Sequence, residues 1–120
     1  MKILLVGCQN FKQSQQEQVV GFIREIAPDA DITTVIYRGE NPATIREDTD
    51  LVIYTACDHS TDSFFSESRQ RERYEEQGGL SVRLMGICAI TAMHYTDHTP
   101  AGWRAMIHKM AKIVQRYKRV

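Results

Sequence analysis

The chain has 120 residues, of which 42% are hydrophobic and 25% charged. That is the size of one domain and close to the globular average of about 45–50% apolar and about 25% charged, which argues against disorder. Fifteen Lys and Arg balance fifteen Asp and Glu, so no net charge draws the whole molecule toward nucleic acid or an anionic membrane.

Ile3-Leu4-Leu5-Val6 followed by Gly7 reads as a strand buried on both faces, the habit of parallel sheets. The run is too short for a signal peptide, and no stretch approaches the ~18 apolar residues of a membrane span. Ser14 and Glu17 stand three apart, the spacing of a capping box at a helix start. Val19, Phe22, Ile23 and Ile26 then repeat at i, i+3, i+4 and i+7, the stripe of a helix laid on a sheet. Pro28-Asp29 stops it. Asp31 to Tyr37 reads as a second strand. Asn41-Pro42 opens a short helix, because Asn caps and Pro suits the first helical position. Leu51 to Tyr54 is a third strand.

Ser60, Thr61 or Asp62 can cap a third helix that runs through Phe64 and Phe65 to Gln77. Gly78-Gly79 ends it. Between Glu67 and Gln77 this segment has Tyr74 as its only large apolar residue. Packing is therefore expected at the Phe64/Phe65 end alone, or the segment projects from the sheet. Arg69, Arg71 and Arg73 then offer a polar surface to a partner or an anionic ligand. Val82 to Ile90 is a fourth strand. Thr99-Pro100 opens the last helix, where Trp103, Met106, Ile107, Met110, Ile113, Val114 and Tyr117 hold helical spacing. Lys109, Lys112, Arg116, Lys118 and Arg119 crowd its second half, where cations complement the helix dipole.

Strands that alternate with helices imply parallel pairing and right-handed crossovers. With no repeat or linker, residues 1–120 form a single α/β domain in this reading. The expected architecture is a small doubly wound parallel sheet of four strands in the order 2-1-3-4, which resembles flavodoxin-like and receiver-like layouts. Three cysteines without a regular spacing argue against a disulfide framework and for a reducing, cytoplasmic compartment.

In open α/β sheets, ligands bind beyond the carboxyl ends of the strands, where the winding reverses. Here that point falls between strands 1 and 3. Gln9 and Asn10 follow the first strand after Cys8. Cys57, Asp58, His59 and Ser60 follow the third, and His94, Asp97 and His98 follow the fourth. Cys57, Asp58 and His59 are the catalytic candidates, with a thiol as nucleophile and an acid or imidazole as proton carrier. Cys8 is a weaker one. Because successive side chains diverge, a working pair would join different loops, Cys8 or Cys57 with His59 or His94. Cys8 and Cys57 also qualify as a redox pair across neighbouring strands, although no Cys-x-x-Cys motif backs it. Gln9, Asn10, Ser14, Ser60 and His94 are the ligand-binding candidates. His94, Asp97 and His98 have the spacing of metal ligands only if helical, and Pro100 argues for loop. No metal is favoured.

Cys8, directly after the first strand and facing a helix start, resembles in position the phosphorylated cysteine of the IIB components of sugar phosphotransferase systems. It is similarly placed to the nucleophile of low-molecular-weight tyrosine phosphatases. The resemblance covers about a dozen residues and implies a phosphocarrier or phosphate-handling cysteine. The loop departs from both patterns: no glycine follows Cys8, and Ser14 stands where the phosphatase arginine is expected. Dinucleotide, phosphate-loop and flavin fingerprints are all missing. A receiver domain's acidic pair is replaced by Cys8-Gln9. The cofactor is therefore unknown.

The leading functional expectation is a small-molecule site for an anionic or phosphorylated ligand at the carboxyl edge, extending to catalysis. The alternative is a non-catalytic regulatory or protein-interaction module of receiver-like fold. A cysteine phosphocarrier ranks third. Neither nucleic acid nor membrane is indicated. Because strand 4 falls at an edge and Leu84 to Ile90 is apolar on both faces, a homodimer that covers it is expected.

Overall fold

Seven residues, Lys2–Cys8, form strand β1 at the heart of a parallel sheet. The computed structural model describes residues 1–8, 11–37, 48–55, 73–84 and 100–118. On one side β1 pairs along its whole length with β2 (Asp31–Tyr37), from Lys2↔Asp31 to Cys8↔Tyr37. On the other it pairs with β3 (Leu51–Thr55), from Ile3↔Leu51 to Gly7↔Thr55. Strand β4 (Ser81–Arg83) joins the far side of β3. The order is β2-β1-β3-β4, all parallel, which is the small flavodoxin-like sheet that the sequence predicts.

The apolar run in β1 is continuous because both faces are covered. Ile3, Leu5, Leu51, Ile53, Val82 and Leu84 belong to one core layer. There they meet Val19 and Ile23 of helix α1 (Gln13–Ile26) and Trp103, Ile107 and Val114 of helix α2 (Pro100–Lys118). Leu4, Val6, Val52 and Tyr54 form a second cluster with Tyr74. Alternate side chains of a strand point to opposite faces, so one four-residue run supplies both layers. Full burial of such side chains contributes roughly 1.5–3 kcal/mol each relative to exposure. Of the fourth strand's expected span, Val82 and Leu84 are buried, and residues 85–90 lie outside the described residues.

Helix α1 starts differently from expectation. Lys12 is its N-cap, and Ser14 lies within the first turn, exposed. The Ser14/Glu17 spacing therefore does not mark the boundary. Two glutamines seal the end instead. The Gln15 side-chain oxygen accepts the Lys12 N–H at 3.0 Å, and the Gln16 amide donates to the Phe11 carbonyl at 3.0 Å. Gln at the third helical position does the same job as Glu in a capping box. At the other end, the Arg24 guanidinium donates to the carbonyls of Pro28 (2.8 Å) and Ala30 (3.1 Å), fastening the turn into β2.

A polar seam joins α1 to α2. Arg104 Nε donates to Glu25 Oε2 at 2.6 Å, and His108 Nε2 lies 3.0 Å from the same oxygen and 3.1 Å from the Phe22 carbonyl. Gln115 donates to the Ile26 carbonyl at 3.0 Å. The hydrogen bond from Arg104 holds the Glu25 carboxyl below its ordinary range, against a smaller opposing effect of desolvation. A lowered carboxyl contributes stability above its unfolded value and loses it as pH falls through the folded one. Glu25 is half exposed, so solvent screens the contribution.

The charged third segment is anchored rather than projecting, at least at its end. Residues 73–76 are helical. Gly78 takes a left-handed φ of 87°, its N–H donates to the Glu75 carbonyl (3.0 Å), and the Gly79 N–H donates to the Tyr74 carbonyl (2.9 Å). That is a Schellman stop, and it needs glycine at the left-handed position. The Tyr74 ring lies over Gly79, where a Cβ would approach it to 2.4 Å. The ring is buried in the second cluster, and its hydroxyl donates to the Thr49 carbonyl at 3.0 Å. The sequence reading confined packing to Phe64 and Phe65. They lie outside the described residues, as does the helix expected from Asn41-Pro42. One aromatic at the correct helical phase is enough to dock this end.

Burial raises the Tyr74 phenol above its ordinary value, with a smaller opposing effect of a hydrogen bond near Leu80. A raised phenol contributes stability below its unfolded value of about 10 and loses it as pH rises through the folded value. Tyr74→Phe removes the bond to Thr49 and should cost about 1 kcal/mol at pH 7. In urea unfolding, the gap between the wild type and this variant should narrow above pH ~10. A gap that stays constant into strong alkali would show that the phenol is not desolvated by folding.

Candidate functional site

Strands β1 and β3 end side by side. The register pairs Gly7 with Thr55, so the chain leaves the two neighbouring strands at the same level. The winding reverses between these strands, since α1 leads from β1 outward to β2 while β3 lies on the opposite side. This is the crevice geometry at which doubly wound sheets take ligands.

Three residues build the rim from below. Thr55, at the end of β3, is completely buried, and its hydroxyl donates to the Val6 carbonyl at 3.0 Å. It ties the ends of β1 and β3 together and satisfies a buried polar group. Phe11, just after the β1 loop, is 4% exposed. Its ring lies against Gly7, where an added Cβ would come within 2.3 Å of Cδ2 and 2.9 Å of Cγ. Only a glycine at position 7 leaves room for the ring against the end of β1. Neither Phe11 nor Thr55 was among the site candidates. A polar β-branched residue ending an apolar strand was the available signal for Thr55.

Helix α1 opens at this edge, and its first turn contains no acidic residue. The partial positive charge of a helix start is thus not neutralised by a carboxylate within that turn. Lys12, the N-cap, is exposed.

The sequence-derived candidates fall as follows. Cys8 is the last residue of β1, paired in register with Tyr37. Ser14 is exposed in the first turn of α1. Gln9, Asn10, Cys57, Asp58, His59, Ser60, His94, Asp97 and His98 lie outside the described residues, as do Arg69 and Arg71. Among the described residues, no group of three His, Cys, Asp or Glu side chains is arranged to hold a metal ion. No described helix is long and apolar enough to cross a membrane.

A cavity of about 140 Å³ lies elsewhere, at the starting ends of β1 and β2, lined by Lys2, Leu4, Thr33, Val35, Asp48 and Thr49. It is smaller than the roughly 300–1,000 Å³ of small-molecule pockets. Lys2 closes one side of it through an ion pair with Asp48. The cavity therefore does not compete with the carboxyl edge as a ligand site.

Comparison with known proteins finds no matching family model, no matching curated protein and no matching solved structure. The class of the protein, a small α/β flavodoxin-like sheet, rests on its strand order and core alone.

The Gly7/Phe11 contact can be tested directly. Gly7→Ala should destabilise the fold by about 1–3 kcal/mol, as overpacking does. Phe11→Ala alone should cost about 3–5 kcal/mol. The double variant should be clearly less destabilised than the sum, because the added methyl then has room. Strict additivity in denaturant unfolding would contradict the contact.

Proposed function

We propose that this protein binds a small anionic or phosphorylated molecule at the carboxyl edge of its sheet, between β1 and β3. One observation carries the reading. The strand order reverses its winding between two strand ends tied together by Thr55, and a helix whose first turn has no acidic residue starts at the same edge. A phosphate or carboxylate is the ligand group that a helix dipole favours. The reading extends to catalysis through Cys57, Asp58 and His59, with Cys8 a weaker catalytic candidate and Gln9, Asn10, Ser14, Ser60 and His94 contributing contacts. These residue types suit nucleophilic and acid–base steps. Three cysteines without a pairing pattern keep a reducing, cytoplasmic compartment in this reading.

Assembly belongs to the same proposal. Among the described residues β4 has a strand neighbour on one side only. The sequence from Leu84 to Ile90 that follows it is apolar, and an apolar edge invites pairing with a second copy, so we read the protein as a homodimer.

Thermal-shift measurements with nucleotides, sugar phosphates and organic acids test the site. The expected result is stabilisation by one of these classes that Cys57→Ala or His59→Ala removes. A ligand present at 100 times its dissociation constant stabilises by about 2.7 kcal/mol, well within detection. No shift with any class would overturn the reading and leave a non-catalytic regulatory or interaction module in its place. Stable phosphate on Cys8 after incubation with a phosphorylated sugar-transport donor would instead make the protein a phosphocarrier. Sedimentation equilibrium of the same samples at micromolar concentration should return the mass of two chains, and the mass of one would refute the dimer.

A further inference from the structure

Charge is unevenly divided along this neutral chain. Residues 100–120 hold six Lys and Arg and no Asp or Glu, so the remainder holds nine against fifteen. Within α2, Lys109, Lys112 and Arg116 are exposed. They stand at i, i+3 and i+7, on the face opposite the buried Trp103, Ile107, Ala111 and Val114. Their rise along the axis is about 10 Å.

The ordinary explanations of surface cations do not cover this row. The helix dipole acts within the last turn, and Lys109 and Lys112 lie before it. Solvated helices usually offset such charges with Glu or Asp one turn away, and α2 has none. Arg104 has found Glu25 on α1. Among the described residues, Lys109, Lys112 and Arg116 form no ion pair. Three like charges on neighbouring turns repel one another, and among the described residues no carboxylate pairs with them.

The occupant follows from the shape of the charge. A membrane-surface helix needs an apolar face to insert, and α2 has already buried its apolar face in the core. A second copy meeting α2 to α2 would set cation against cation. A nucleic acid strand carries charge far beyond 10 Å in both directions and would run onto a body with excess acid. A short acidic polypeptide segment matches the row and ends with it.

We propose that the exposed face of α2 docks an acidic segment of a protein partner, with Asp or Glu spaced at successive helical turns to meet Lys109, Lys112 and Arg116. This surface is separate from the ligand site at the strand ends, and either proposal stands or falls without the other.

The test uses fluorescence anisotropy with the full chain and three labelled probes. They are a helical peptide of four Glu-Ala-Ala-Ala repeats, a single-stranded DNA of about 20 nucleotides and the matching duplex. The peptide should bind, weaken as salt rises, and lose at least about tenfold in affinity with Lys109→Glu/Lys112→Glu. The neutral pair Lys109→Gln/Lys112→Gln should show a smaller loss in the same direction, which guards against a charge reversal that disturbs the fold. Lys2→Gln removes an exposed cation at the start of β1, away from α2, and should leave peptide affinity within about twofold. Absence of peptide binding, equal losses with Lys2→Gln, or tighter binding of either DNA than of the peptide would each overturn the proposal.

Discussion

Strand β1 has hydrogen-bonded neighbours along both sides, and the positions of the other elements follow from that constraint. Where a strand is paired on both edges and covered on both faces it exposes almost nothing, so the stretch from Ile3 to Val6 is apolar. Ile3, Leu4, Leu5 and Val6 are all buried as a result. Its alternating side chains feed two separate layers, one under α1 and α2 and one under Tyr74. Parallel pairing on both sides also sends the chain out of β1 and β3 at one edge. The same constraint that builds the core therefore brings the ends of β1 and β3 to one edge.

The edge is finished by small, specific contacts rather than by further hydrophobic mass. Thr55 donates a hydrogen bond to a β1 carbonyl, and Phe11 packs against the end of β1 because Gly7 has no side chain. Both hold the strand ends from inside the core. Function in this class of fold sits on loops positioned by a rigid scaffold, and these contacts are the scaffold's upper surface.

Much of the fold is legible in the residues because its signals are long and redundant. The strand at Asp31–Tyr37, the apolar stripe from Val19 to Ile26, the Pro100 start of α2 and the glycine stop at Gly78-Gly79 all appear where the sequence puts them. Two features were not legible. The start of α1 was misplaced because Ser14 and Glu17 match a common capping pattern, while Gln15 and Gln16 perform the capping from less diagnostic positions. Tyr74 was passed over because a single aromatic among charges makes no periodic pattern. Its docking depends on Gly79 making room, a contact between neighbours that composition does not reveal. Of the candidate site, the edge and its register are legible from strand order. The supporting roles of Phe11 and Thr55 are not, since each depends on a contact that exists only once the strands are paired.

The central claim is that β1 is the shared inner strand of a β2-β1-β3-β4 sheet. Native-state hydrogen exchange followed by residue-resolved NMR tests it most directly. The amides of Leu5, Val6 and Ile53 should exchange only through global unfolding, with a free energy that tracks denaturant stability. The amides of Thr33 and Thr34, in strand β2 at the sheet's edge, should exchange faster through local opening. Exchange of Leu5 and Val6 as fast as Thr33 and Thr34, through openings insensitive to denaturant, would contradict an inner β1 and with it the crevice between β1 and β3.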